Sequence, residues 1–171
     1  MSANQTDPTQ VAARLLVHLR KLKNDRGAMA DLRCALNPTK LPRAWQLLAP
    51  VGGIGNPRIE ILAGLFAYHP DETHSGNLGT TCLALKAQNE SFGARFRRLL
   101  ACDRDEICER LRPIILAAKA KGIPVNYEQL FADLCYWSPS VKARWAQEYW
   151  SAPESEGTEE PDAMSATEVM P

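Results

Sequence analysis

A chain of 171 residues, 45% hydrophobic and carrying 20 basic and 20 acidic side chains, is long enough for one domain with a real hydrophobic core, or for two small lobes. Its zero formal charge conceals an asymmetry: residues 153–171 hold Glu154, Glu156, Glu159, Glu160, Asp162 and Glu168 and no base, which leaves 20 bases against 14 acids, a formal +6, on the remainder. No apolar run approaches the roughly 20 residues of a bilayer span, and the N-terminus MSANQTDPTQ lacks the charged and apolar parts of a secretion signal; with five cysteines that fit no disulfide scaffold, the expectation is a reduced, soluble, cytoplasmic protein.

Asp7-Pro8 opens the first predicted helix, whose inner stripe is Val11, Leu15, Leu19 and Leu22 and whose other faces carry Arg14, Arg20, Lys21 and Lys23. After a turn over Asn24–Gly27, Met29, Leu32 and Leu36 mark a short second helix with Arg33 outward. Asn37-Pro38 breaks it, and Pro42 starts a third helix anchored by Trp45 and Leu48. The stretch Val51–Pro57 is too rich in Gly and Pro for a helix or strand. It lacks the Gly-Lys-Ser/Thr of a phosphate-binding loop and reads as a connection between two helical lobes. Asn56 caps and Pro57 starts a helix over Arg58–Tyr68, burying Ile61, Leu62, Leu65 and Phe66, and its lack of outward charge predicts a central position. His69–Asn77 is a polar loop, followed by a short helix with Leu78, Cys82, Leu83 and Leu85.

Residues 90–150 read as four consecutive helices with a surplus of arginine on the faces that do not pack. Phe92, Phe96, Leu99 and Leu100 form the first stripe, with Arg95 and Arg98 along one flank and Arg97 on another. Asp103 and Glu106 form a capping box ahead of a helix that buries Ile107, Leu111, Ile114, Ile115 and Ala118 and stops at Gly122 and Pro124. Pro113 lies inside that helix, where proline costs about 3 kcal/mol, so the helix kinks there or divides in two. Asn126 caps a helix with Leu130, Phe131 and Leu134, and Ser138-Pro139 opens a last one burying Val141, Trp145 and Tyr149. The fold class is therefore all-α, a compact bundle of about eight short helices. A disordered N-terminus (1–7) precedes an N-terminal helical lobe (8–88), then an arginine-rich lobe (89–151) and a disordered acidic tail (152–171).

No constellation supports an enzyme, and neither a cofactor nor a metal is expected. His69, His74, Cys102 and Cys108 lack the close paired spacing of a structural zinc site, and Cys82, Cys108 and Cys135 lie on helix stripes, where a thiol acts as a small hydrophobe. Trp137, Trp145, Tyr149 and Trp150 read either as a stacking platform for bases or, since Trp145 and Tyr149 follow Val141 at four-residue steps, as core, with Trp150 at the edge. The basic clusters exceed what a merely solvated helix face needs. They favour arginine (13 of the 20 bases), whose fork suits phosphate. The eight bases between Arg14 and Arg43 face only Asp25 and Asp31, too few acids to pair them. Nucleic-acid binding through phosphates rather than base edges follows as one reading; a helical adaptor whose bases meet acidic protein partners is the other.

Asp25-Arg26-Gly27-Ala28 with Leu32-Arg33, Asn56-Pro57-Arg58, the run Phe96–Arg104, Leu111-Arg112, and Trp137 through Trp145–Tyr149 together resemble the CasB family, the small subunit of the type I-E CRISPR surveillance complex Cascade. The likeness runs in order from Val11 to Trp150, with departures at Pro113, where the family usually carries a basic or polar residue, and at Tyr127, often tryptophan. The resemblance implies an all-α, non-enzymatic subunit without cofactors. It implies as partners the guide RNA, the target and non-target DNA strands, the backbone and large subunits, and a second copy of itself, with no membrane. Its work would be to hold R-loop strands by their backbones, tipping a near-balanced exchange of duplexes. Carried over by position, Arg58, Arg95, Arg98, Arg104 and Arg112 are the expected phosphate contacts, joined by Lys142 and Arg144 in the last basic stretch and by Arg20, Lys21, Arg26 and Arg33 near the N-terminus. Arg58, at a helix N-terminus, would address phosphate together with free backbone donors, while Arg104 and Arg110 have the alternative of pairing with acids one turn away.

Overall fold

A computed structural model describes residues 7–151; the expectations of disorder over residues 1–6 and 152–171 lie outside the described residues. Nine α-helices follow in order among the described residues: α1 (Pro8–Leu22), α2 (Arg26–Arg33), α3 (Pro42–Leu48), α4 (Pro57–Tyr68), α5 (Leu78–Gln88), α6 (Phe92–Ala101), α7 (Ile107–Lys121), α8 (Tyr127–Cys135) and α9 (Pro139–Trp150). Short 3₁₀ turns at Cys34–Leu36 and Ala49–Val51 extend α2 and α3. No strand forms among them; a single parallel bridge joins Glu72 to Val125. The expected all-α bundle is thus the observed one.

The helix starts follow from cap chemistry. Asp7 Oδ1 accepts the Thr9 amide at 3.0 Å, Asn56 Oδ1 those of Arg58 and Ile59 at 3.2 and 3.4 Å, Asn126 Oδ1 that of Gln129 at 3.1 Å, and Ser138 Oγ that of Val141 at 3.5 Å. Asp103 and Glu106 exchange side-chain and backbone hydrogen bonds reciprocally, at 2.9 and 3.2 Å, one turn ahead of α7. Helix α7 runs unbroken through Pro113, so the division the sequence allowed does not occur. The ring is exposed, while Leu111, Ile114 and Ile115 around it are 0–3% exposed. Burying three such side chains stabilises by about 1.5–3 kcal/mol each, more than the roughly 3 kcal/mol a helical proline costs.

Helix α4 occupies the centre, as its missing outward charge predicts, and packs against α2, α7 and α8. Distant parts of the chain pair around it: α1 lies along α8, and α5 along α9. One hydrophobic cluster draws side chains from every helix, so the 88/89 boundary between the two expected lobes runs through packed surfaces. Phe96 stacks on Tyr149 (centroids 4.0 Å apart) and Trp137 tilts against Trp145 (4.8 Å), which makes Trp137, Trp145 and Tyr149 core, while Trp150 is half exposed. Helices α5 and α9 meet at Gly79, where a Cβ would stand 2.2 Å from the Trp145 carbonyl oxygen.

Three buried polar groups were not legible in the sequence. The Glu60 carboxylate accepts Trp45 Nε1 at 3.1 Å and the Gly55 amide at 2.8 Å. Asp133 accepts Trp145 Nε1 at 2.7 Å and Gln129 Nε2 at 2.9 Å. Each buried acid therefore serves an indole N–H that would otherwise lack an acceptor. His69, expected in a polar loop, is 2% exposed, its Nε2 2.6 Å from the Ile123 carbonyl oxygen, and the Tyr127 hydroxyl donates to the His69 carbonyl.

Candidate nucleic-acid interface

The arginine-rich helices α6 and α7 pack through Leu99, Ile114 and their neighbours, and the edges of that contact carry bases. Arg95 and Arg98, three residues apart, share one flank of α6. Arg110 precedes Ile114 by one turn on α7. Together they rim a cleft of about 250 Å³ whose floor is Leu99, Pro113 and Ile114. All three are exposed, and among the described residues none meets a carboxylate within 4.0 Å. Three guanidinium forks stand over an apolar floor with no carboxylate within 4.0 Å among the described residues, and such forks have the geometry that pairs with phosphate or carboxylate oxygens. Arg97 lies on the opposite flank, folded back toward Gly93 and Tyr149, as the helical spacing predicts.

A second basic cleft of about 380 Å³ lies between α2, α4 and α7. Lys23, Arg26, Arg33 and Lys119 line it with Tyr68 and Met29. The guanidinium carbons of Arg33 and Arg112 stand 5.7 and 5.3 Å from the Tyr68 ring centroid. Arg33 Nε donates to the Ala67 carbonyl at 3.1 Å, and Arg112 Nη2 donates to the Tyr68 hydroxyl at 3.3 Å. These contacts hold both arginines in fixed directions.

Other expected contacts have structural partners. Arg20 grips Glu72 with two hydrogen bonds of 2.9 Å, and Arg43 meets Asp31 at 2.8 Å. The expectation that acids are too few to pair the N-terminal bases is corrected for Arg20, whose partner Glu72 comes from 52 residues away; Asp31, the partner of Arg43, is one of the two acids already counted. Arg58 Nε donates to the Leu134 carbonyl at 3.0 Å, and Arg104 Nη2 to the Cys135 carbonyl at 2.9 Å. Both arginines therefore cap the C-terminus of α8, where orphan carbonyls and the negative end of the helix dipole attract cations. Asn56 already takes the first amides of α4, so the free backbone donors expected beside Arg58 are occupied. Arg104 uses this carbonyl rather than a neighbouring acid. On α9, Arg144 lies 3.7 Å from buried Asp133 and Lys142 Nζ stands 5.5 Å over the Trp137 ring, while Lys21 is exposed on α1.

The paired substitution Arg58→Ala, Arg104→Ala is expected to lower stability by about 2 kcal/mol, seen as a fall of roughly 5–8 °C in Tm. An unshifted melt accompanied by a loss of DNA binding would return both residues to the interface.

Reasoning from the sequence missed Arg110 as a partner of Arg95 and Arg98. The signal was present: Arg110 is placed relative to Ile114 as Arg95 is to Leu99, so packing of the two leucine–isoleucine stripes brings the bases to one seam. Burial raises the thiol pKa of Cys82, Cys102, Cys108 and Cys135 and so disfavours their thiolates. Among the described residues no helix is long and apolar enough to cross a membrane.

Comparison with known proteins bears on the family and the fold. The family profile described as CRISPR-associated protein Cse2 covers residues 28–150. The CRISPR-associated protein Cse2 of Thermus thermophilus is 34% identical over 132 residues, spanning 71% of this chain and 76% of that protein. The crystal structure of a Cse2-family CRISPR-associated protein from Thermus thermophilus superposes with a TM-score of 0.71 at 29% identity, covering 82% of this chain and 98% of the other. A chain of a CRISPR RNA-guided surveillance complex shares the fold with a TM-score of 0.69 at 22% identity, over 83% of this chain and 92% of its own length. The sequence match, continuous across α2 to α9, together with the shared helical architecture, establishes that the chain belongs to the Cse2 family of CRISPR-associated proteins.

Proposed function

We propose that this chain is a non-catalytic small subunit of a type I-E Cascade surveillance complex. In this reading it grips the phosphate backbones of R-loop strands without reading their bases. The observation that carries the reading is the α6–α7 cleft, where Arg95, Arg98 and Arg110 stand exposed and unpaired by acids among the described residues. Family membership supports a place in the complex beside the guide RNA, the backbone and large subunits and a second copy. A backbone grip suits an R-loop because the heteroduplex formed is about as stable as the duplex displaced, so modest sequence-independent contacts tip the balance. The second cleft, lined by Lys23, Arg26 and Lys119 and with Arg33 held beside Tyr68, offers a further electropositive surface on the other side of α7.

The test is fluorescence anisotropy on labelled single-stranded and duplex DNA of unrelated sequences, titrated across salt. Affinities are expected to agree within about threefold between sequences and to fall steeply as salt rises. Absence of binding at low salt would favour the adaptor reading, in which the same bases meet an acidic protein.

A further inference from the structure

We propose that the outward face of Trp150, at the end of α9, is a stacking site for an unpaired base of a single strand, with Arg97 and Lys86 beside it to receive the flanking phosphates. The site is separate from the α6–α7 cleft. It rests on the nucleic-acid reading above, to which it adds a contact with bases that does not depend on their identity.

The indole is set in place by its neighbours. Phe96 of α6 and Tyr149 of α9 stack with ring centroids 4.0 Å apart and 23° between their planes. The Trp150 ring stands 5.3 and 5.2 Å from those two centroids, inclined at 68° and 90° to the two planes. A ring nearly equidistant from both members of a stack, and steep to each, lies along the side of that stack with one face against their edges. The other face looks outward: Trp150 is 50% exposed, whereas the remaining three tryptophans are buried or partly so. An aromatic ring held in one orientation gives up little freedom when a base settles on it.

Cations border the same aromatic group. Lys86 Nζ, from the last turn of α5, stands 5.1 Å from the Tyr149 ring centroid. Arg97 directly follows Phe96, and its Nη1 lies beside Gly93, as does the Tyr149 hydroxyl. Both side chains are exposed, and neither meets a carboxylate within 4.0 Å among the described residues. An accessible π-face with free cations next to it holds single strands of any sequence, because every base has a face to stack. In a duplex those faces are already covered by neighbouring base pairs, so the site selects unpaired strands. Tyr136 is also exposed, but Arg58 and Arg104 at that end of α8 donate to the Leu134 and Cys135 carbonyls.

The experiment measures anisotropy with three labelled ligands: an oligothymidylate of about 10 nucleotides, a strand of equal length built of abasic sites, and a duplex. The proteins are the full chain and its Trp150→Leu, Trp150→Phe and Tyr136→Leu variants, each checked by thermal melt. The full chain is expected to favour the oligothymidylate over the abasic strand about tenfold. Stacking is not electrostatic, so this ratio should persist as salt lowers both affinities. Trp150→Leu should bring the ratio to about one while duplex binding stays unchanged, and Trp150→Phe should keep most of the preference, which separates a π-face from mere packing. Tyr136→Leu should behave as the full chain does. No preference for bases in the full chain, or an undiminished one in Trp150→Leu, would overturn the stacking site and leave the phosphate grip standing. Equal losses on all three ligands in Trp150→Leu would make the residue structural and also overturn it, and absence of binding to any ligand at low salt would sink both readings.

Discussion

Gly79→Ala is expected to lower stability by about 3 kcal/mol or more, a large share of the 5–15 kcal/mol that holds a typical domain together. The α5–α9 interface is closed at this residue: an added methyl carbon would lie 2.2 Å from the Trp145 carbonyl oxygen and 2.9 Å from its carbon. The obstacle is backbone, which has no rotamer to change, so the two helices must separate. Separation costs twice. Overpacking is typically worth 1–3 kcal/mol and occasionally more. In addition, Val141, Trp145 and Tyr149 would pack less closely along α9, and a gap of even 0.5–1 Å forfeits a quarter to a half of each dispersion interaction. Gly64→Ala provides the comparison. Its Cβ would meet Leu36 Cγ and Cδ2 at 2.7 and 2.8 Å, a partly buried side chain that can turn away, so a smaller loss is expected there. Denaturant titration measures both, and a wild-type midpoint for Gly79→Ala would refute the argument.

Replacing Arg95, Arg98 and Arg110 together by glutamine is expected to weaken DNA binding by about two orders of magnitude near 0.1 M salt while leaving the melt unchanged. Each phosphate left without its arginine on duplex DNA should flatten the slope of log affinity against log salt by about 0.9, or roughly 2.7 for the three. Because the three side chains are exposed and meet no carboxylate among the described residues, their removal should stay within about 0.5 kcal/mol of neutral for folding. Arg20→Gln is the matched control: it breaks an ion pair with Glu72 and should leave the salt slope intact. If the triple variant binds like wild type, the cleft is not the grip.

What could be read from the chain alone divides along a physical line. Helix stripes and caps depend on residues three or four apart, so Ile107, Leu111, Ile114, Ile115 and Ala118, or Asn126 over Gln129, were all legible. Partners across the fold were not. Arg20 finds Glu72, Arg58 reaches Leu134 and Arg104 reaches Cys135, each over 31 to 76 residues, and no local pattern encodes those meetings. The same holds for the buried acids: Glu60 and Asp133 look like ordinary surface residues until Trp45 and Trp145 arrive with indole N–H groups to satisfy. Of the proposed interface, the chemistry of the arginines was legible in advance, but not which of them stand free.

The packing of α1 on α8 bears on where the molecule can be cut. The family profile begins at residue 28, beyond α1, yet Ala12, Leu15, Leu16 and Leu19 are wholly enclosed. Their removal would uncover an oily trough along α8, and three leucines alone are worth about 5–9 kcal/mol of burial, comparable to an entire domain's margin. A version trimmed to the recognisable stretch would therefore be an aggregation-prone remnant. Helix α1, which the family profile does not reach, is a structural lid that the rest of the molecule cannot spare.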